Sequence, residues 1–95
     1  MLNNKQKNYL RGLAQSERAL FQIGKDSLSD NLITTVANAL KARELVKISV
    51  LKSNGDDLQE LSFELARLTK SEVVQVIGRT IILYKQAKEP KILLP

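Results

Sequence analysis

The sequence predicts an α+β fold, an α/β two-layer arrangement in which three helices pack on a mixed four-stranded sheet in the order αβαβαββ. Strand-like runs alternate with segments of helical periodicity, and a Gly-Arg pair separates the last two strand-like runs. Strand–helix–strand crossovers require parallel pairing and a two-residue hairpin requires antiparallel pairing, so the sheet must be mixed. With 95 residues, 43% of them apolar, residues 1–95 are expected to form a single domain.

The first helix is predicted over residues 3–15, where apolar residues recur at helical spacing and Lys7 and Arg11 lie on another side. The short apolar run of residues 18–23 predicts the first strand, which Gly24 ends.

Ser29 is placed to cap a second helix over residues 30–42, whose apolar positions keep a 3.6-residue period. Residues 44–51 alternate apolar and polar side chains and predict the second strand, and residues 53–56 close it with a turn.

Four leucines spaced three or four residues apart, from Leu58 to Leu68, predict the third helix, with acidic side chains in its first turn. Residues 73–77 and 80–84 then predict two strands on either side of Gly78 and Arg79, a Gly-X pair suited to a type II′ hairpin turn.

The composition excludes several classes of chemistry. The chain has no cysteine and no histidine, so disulfides, thiolate zinc sites, Ser-His-Asp triads and imidazole acid–base catalysis are absent. It also contains no P-loop, dinucleotide fingerprint or EF-hand loop. We therefore expect no enzyme activity, no cofactor, no metal and no small-molecule substrate.

No apolar run approaches the roughly 20 residues of a membrane span, and no signal-peptide pattern follows the N-terminus. We expect a cytoplasmic monomer with no membrane partner.

The net charge of +5 is distributed unevenly along the chain. Residues 54–69 have a net charge of −3, so the rest of the chain has a net charge of +8. Any single lysine serves solubility well enough, but the segregated set predicts a surface for a polyanionic partner.

The segment Gly24-Lys25-Asp26-Ser27 leads directly into the second helix. Backbone N–H groups and the positive end of the helix dipole favour a phosphate there, and a glycine allows close approach. The same residues also suit any ordinary strand-to-helix turn.

The chain has few aromatic residues, and no strand of the RNA-recognition-motif type. Tyr9, Phe21, Phe63 and Tyr84 are expected to pack in the core or at its edges. A nucleic acid would therefore be bound mainly through its backbone and shape.

Several segments in register resemble the YhbY-like proteins, the bacterial stand-alone form of the CRM domain (chloroplast RNA splicing and ribosome maturation). They are LRGLA (10–14), QIGK (22–25), LS (28–29), RELVK (43–47), VQVIGRT (74–80) and KILLP (91–95). The resemblance implies a fold similar to the C-terminal domain of translation initiation factor three, RNA binding, and association with precursors of the large ribosomal subunit (pre-50S).

The family's RNA-contacting loop has a Gly-x-x-Gly pattern, which corresponds here to Gly24–Ser27. Ser27 replaces the second glycine, and Asp26 adds a charge that repels phosphate. The loop is therefore expected to contribute less to affinity than in relatives, and the first helix and the other basic residues to contribute more.

The sequence thus predicts a non-enzymatic RNA-binding protein that contacts structured ribosomal RNA through the first helix, the Gly24 loop and the start of the second helix. The predicted contact residues are Lys5, Lys7, Arg11, Gly24, Lys25, Asp26, Ser27, Ser29, Lys41 and Arg79.

Two alternatives remain open. A protein-interaction adaptor would use the acidic third helix or an exposed strand edge to contact a ribosomal protein or assembly factor. A DNA-binding domain is less well supported, because the chain has no convincing helix-turn-helix.

Overall fold

The computed structural model describes residues 2–26 and 28–95, and over these residues it confirms the α+β class and the order αβαβαββ. The elements are α1 (Asn4–Ala14), β1 (Phe21–Ile23), α2 (Asp30–Arg43), β2 (Leu45–Val50), α3 (Leu58–Thr69), β3 (Glu72–Ile77) and β4 (Thr80–Tyr84).

The strands of the described residues form one mixed sheet in the order β1-β2-β4-β3. β1 and β2 pair in parallel, whereas β4 runs antiparallel to both of its neighbours. The turn between β3 and β4 consists of Gly78 and Arg79. Gly78 has a φ of +56° and Arg79 does not have a positive φ, which is the pattern of a two-residue hairpin turn with glycine in its first position. In this strand order, β4 lies between β2 and β3.

The two ends of the sheet differ, and we call them the loop end and the tail end. At the loop end, β1 and β2 finish at Ile23 and Val50, and the Val50 amide donates to the Arg79 carbonyl of the β3–β4 turn (2.7 Å). At the tail end, Leu45 and Glu72 begin β2 and β3 on either side of Tyr84, after which the C-terminal segment departs.

Helices cover both faces of the sheet, so the protein has three layers where two were expected. On one face, α2 and α3 pack over β2 and β4, whose inward side chains include Ile48, Ile81 and Leu83. On the opposite face, α1 and the C-terminal segment pack over Ile82 and Tyr84. The periodicity of the first helix predicts which side of it is apolar, but not which face of the sheet it covers.

Each helix begins at a polar cap. Asn3 and Gln6 form a capping box at α1, and the side chains of Ser29 and Asp57 accept amide hydrogen bonds at the starts of α2 and α3. Asp57 therefore has the capping role that the sequence predicts for the acids before the third helix. No helix in the described part of the chain is long and apolar enough to cross a membrane.

Strand β1 is shorter than predicted, because it begins at Phe21 and leaves out residues 18–20. The Leu20 amide still donates to the Lys47 carbonyl (2.9 Å), so the backbone approaches β2 one residue earlier. The side chains of residues 18–20 are exposed, however, and enter neither core.

The prediction that every aromatic residue packs in the core or at its edges is wrong for Phe63, which is 64% exposed. Tyr9 is also 43% exposed, whereas Phe21 is half-buried and Tyr84 is buried. Phe63 lies on the outward side of α3, where the leucine periodicity places polar residues.

We expect Leu83→Ala to destabilise the protein by about 3 kcal/mol, because the substitution opens a cavity in a fully buried site. Leu93→Ala is the control, since Leu93 is 79% exposed, and its effect should stay within about 0.5 kcal/mol. Urea unfolding followed by circular dichroism measures both. Equal effects of the two substitutions would contradict the assignment of the core.

Candidate nucleic-acid interface

The β1–α2 loop lies at the loop end of the sheet. Gly24 is half-buried, whereas Lys25 and Asp26 are exposed. Ser27, the fourth residue of the predicted contact loop, lies outside the described residues. The described part of the loop thus presents one cation and one anion to solvent just before α2.

The fold itself does not require a glycine at position 24. Its φ lies outside the left-handed region, and an added Cβ would lie 3.7 Å from the Leu51 Cδ1 atom, an ordinary van der Waals distance. The missing side chain instead leaves the backbone more accessible to an approaching group. This is the property that a phosphate-contacting loop needs.

Asn54 fixes this loop to the body of the protein. It is only 3% exposed, and its Nδ2 atom donates to the Gly24 carbonyl (2.9 Å). Its Oδ1 atom accepts the Asp56 amide (2.8 Å), so both ends of the side-chain amide are engaged. A buried amide with both groups paired holds the Gly24 carbonyl in one position.

Arg79 lies at the same end of the sheet and holds Asn54 in turn. Its Nε atom donates to the Val50 carbonyl (2.9 Å), and its Nη2 atom donates to the carbonyls of Leu51 (2.8 Å) and Asn54 (3.1 Å). The side chain is half-buried. The sequence predicts Arg79 as an RNA contact, and the structure gives its guanidinium an internal role that ties three backbone carbonyls together.

Ser29, another predicted contact, is the N-cap of α2. Its hydroxyl oxygen accepts the Leu32 amide (3.1 Å) and its carbonyl accepts the Ile33 amide (3.0 Å). Its hydroxyl thus stabilises the first turn of the helix.

Acidic side chains border the loop on the α3 side. Asp26 and Leu28 line a cleft of about 360 Å³ together with the acids at the start of α3, namely Asp56, Asp57, Glu60 and Glu64. No group of His, Cys, Asp or Glu among residues 2–26 and 28–95 is arranged to hold a metal ion. The cleft repels phosphate, so a polyanion must approach the loop from another side.

The basic residues of α1 lie on the opposite face of the sheet from α2 and α3. Arg11 is exposed and lines a cleft of about 310 Å³ with the polar side chains of Lys47, Gln75 and Thr80 and the apolar side chains of Ile77 and Ile82. The Lys47 ammonium lies 3.4 Å from the Ala14 carbonyl, at the end of α1. This end of α1 adjoins Lys47, Gln75 and Thr80 of the sheet, which we call the polar strip. The strip leads toward the loop end, where Thr80 begins β4.

Lys5 and Lys7 lie one to two turns earlier in α1, toward the tail end, where the Leu2 amide donates to the Glu72 carboxylate (3.1 Å). Lys5 is exposed, and half-buried Lys7 lines a groove with Phe63. Both lysines share α1 with Arg11, but they lie further than Arg11 from the Gly24 loop.

Lys41 is separated from the other predicted contacts. It lies in the last turn of α2, about 17 Å along the helix axis from Asp30 at its start. The structure therefore brings Gly24, Lys25, Asp26 and Ser29 together with Arg79, and places Lys41 at the tail end.

Sequence reasoning missed two residues that shape this region, Asn54 and Lys47. Asn54 precedes a glycine, a pair typical of an exposed turn, and nothing local indicates that its amide is buried against another loop. The alternation in residues 44–51 predicts Lys47 on the polar side of its strand, but it does not predict the contact of Lys47 with the end of α1.

Comparisons with known proteins agree with one another. The family model of the CRS1 / YhbY (CRM) domain matches residues 2–85. The chain is 45% identical to the "Probable RNA-binding protein YqeI" of Bacillus subtilis (strain 168), over 96% of this chain and 95% of that protein. It is 34% identical to an "RNA-binding protein" of Haemophilus influenzae, over 99% of this chain and 95% of that protein.

A solved structure is also similar. The solution structure of the hypothetical protein SAV1595 from Staphylococcus aureus has a TM-score of 0.85 and 46% sequence identity, and the match covers 100% of both chains. With the family model spanning all the helices and strands described above, the chain belongs to the CRS1 / YhbY (CRM) domain family.

Proposed function

We propose that this chain is a non-enzymatic binding protein for structured RNA, and that its target is ribosomal RNA of the large-subunit precursor. The interface is the α1 surface around Arg11, the adjoining polar strip of the sheet, and the Gly24 loop. The names of the relatives support RNA as the partner, and the resemblance to YhbY-like proteins supports the ribosomal target.

The observation that carries the proposal is the anchored but accessible Gly24 loop. Asn54 holds the Gly24 carbonyl in place, so the loop loses little conformational freedom when a ligand binds. Neither φ nor packing requires the glycine, which leaves access to the backbone as the reason for its small size. Exposed Lys25 adds a charge-assisted contact beside it.

The distribution of charge supports one direction of approach. The net charge of −3 on residues 54–69 is concentrated on α3 and the acidic cleft. Lys5, Lys7 and Arg11 lie on the other face of the sheet, on α1. An RNA backbone is therefore attracted to the α1 face and repelled by α3. Gln75, Thr80 and Lys47 between them offer polar groups for phosphates and 2′-hydroxyls.

One observation favours a second function, the protein-interaction adaptor. The acidic cleft at the start of α3 lies on the same helix as Phe63, which is 64% exposed. A basic partner protein with an apolar pocket would suit this pair of features. If the purified protein does not bind protein-free ribosomal RNA, the adaptor function is favoured over the RNA-binding function.

The triple variant Lys5→Glu, Lys7→Glu and Arg11→Glu should weaken binding to transcribed large-subunit rRNA by more than about tenfold, because each reversed charge repels the backbone. The control is Arg67→Glu, which reverses one exposed charge on α3, and the losses are compared per reversed charge. Fluorescence anisotropy measures both affinities. Equal losses in the two variants would show that the α1 face is not the interface.

Affinity should fall steeply with salt. The logarithm of the association constant is expected to decrease with the logarithm of salt concentration by about 0.7 to 0.9 per neutralised phosphate. A DNA duplex of the same sequence, measured alongside, should bind more weakly if 2′-hydroxyls contribute. Binding that does not respond to salt would contradict the electrostatic interface.

Gly24→Ala should leave the free energy of unfolding within about 1 kcal/mol, since a Cβ is accommodated there. The same substitution should weaken rRNA binding about fivefold, the value of one lost hydrogen bond. Gly55→Ala is the matched control, because Gly55 is exposed and an added Cβ meets nothing within 4 Å. Unchanged RNA affinity in Gly24→Ala would remove the loop from the interface.

A further inference from the structure

The C-terminal segment after β4 is held to the body by one buried carboxylate. Glu44 is fully buried between α2 and β2, and its oxygens accept the backbone amides of Ala87 (2.8 Å), Lys91 (2.6 Å) and Ile92 (2.8 Å). Burial raises the pKa of Glu44, but these N–H donors and the Lys91 charge outweigh it, so that the pKa is lowered overall.

Two properties of this position disfavour a glutamate. Its φ is +67°, a left-handed value that glycine adopts far more easily, and its charge is withdrawn from water. A glycine after α2 would end the helix without strain. The hydrogen bonds to the C-terminal segment are what a glutamate offers and a glycine does not.

The anchored segment forms one wall of a basic cleft, which we call the tail cleft. Its volume is about 530 Å³, and its charged side chains are Lys41, Lys85, Lys88, Glu89 and Lys91. Lys91 is itself fixed, because its Nζ atom donates to the Ala42 carbonyl (2.9 Å). Four lysines against one glutamate leave the cleft with a net positive charge, although Lys85 and Lys91 hold their ammonium groups on the carbonyls of Thr69 and Ala42.

The tail cleft is distinct from the Gly24 loop. β2 runs from Leu45 at the tail end to Val50 at the loop end, a length of about 17 Å. That distance is longer than one nucleotide step of a nucleic-acid strand. A contact in the tail cleft is therefore additional to contacts at the loop.

We propose that the tail cleft is a second RNA-binding site that takes backbone phosphates, and that Glu44 is the positioning residue that fixes its lysines. This proposal rests on the function proposed above. It means that the protein holds its RNA at both ends of the sheet, and it explains why Lys41 lies far from the other predicted contacts.

The test uses the full chain and a labelled RNA duplex of about two helical turns, followed by fluorescence anisotropy over a salt series. Lys41→Glu with Lys88→Glu reverses two exposed charges of the cleft. Arg67→Glu, which reverses one exposed charge on α3, is the control, and the losses are compared per reversed charge. We expect the cleft variant to bind at least about fivefold more weakly than the control, with a salt slope smaller by about 1.5.

The outcomes separate the two proposals. Equal affinity of the cleft and control variants, with wild-type binding intact, overturns the second site and leaves the proposed function standing. Failure of the wild-type protein to bind RNA overturns the proposed function itself.

Glu44→Gln tests the positioning role, because it keeps the size of the side chain and removes its charge. It should weaken RNA binding in the wild-type background and add little to the Lys41/Lys88 variant, since both changes disable one site. A loss that is fully additive in the two backgrounds would mean that Glu44 acts only on stability. The Lys41/Lys88 comparison stands even where Glu44→Gln does not fold.

Discussion

The structure depends on strand β4, which lies between β2 and β3 and is buried on both faces. Because its side chains alternate, Ile81 and Leu83 enter the core under α2 and α3, while Ile82 and Tyr84 enter the core under α1 and the C-terminal segment. A strand that contributes to two cores connects the three layers. It also fixes both ends of the sheet, since the turn before it carries Arg79 and the residue after it is Lys85.

The proposed interface follows from what this arrangement places at each end. At the loop end, Arg79 and Asn54 donate to backbone carbonyls, and Asn54 holds the Gly24 carbonyl in place. At the tail end, Glu44 does the same for the C-terminal segment. In both places internal hydrogen bonds position the backbone, and exposed lysines beside it remain available to a polyanion. Such a surface recognises the positions of the phosphates and the shape of the RNA more than the identity of its bases.

Much of the fold could be predicted from the sequence, because periodicity and turn residues act locally. The helices and three of the strands lie within one or two residues of the predicted bounds, and Gly78 has the positive φ that its turn needs. The face that α1 covers could not be predicted, since an apolar helix side fits either face of a sheet. For the same reason, a charge count treats Arg79 as a surface cation, although its partners come from residues about 25 to 30 positions away. The sequence predicts Glu44 only as the first residue of a strand, because its amide partners lie more than 40 residues later in the chain.

The central claim is that RNA binds across the α1 face and the Gly24 loop, and not along α3. The most direct measurement is an NMR titration of the ¹⁵N-labelled protein with a transcribed large-subunit rRNA fragment, with every backbone amide followed. The largest shift changes are expected on Gly24, Lys25 and the residues around Arg11, and the α3 amides are expected to keep their shifts. Changes confined to α3 and its acidic cleft would contradict the claim.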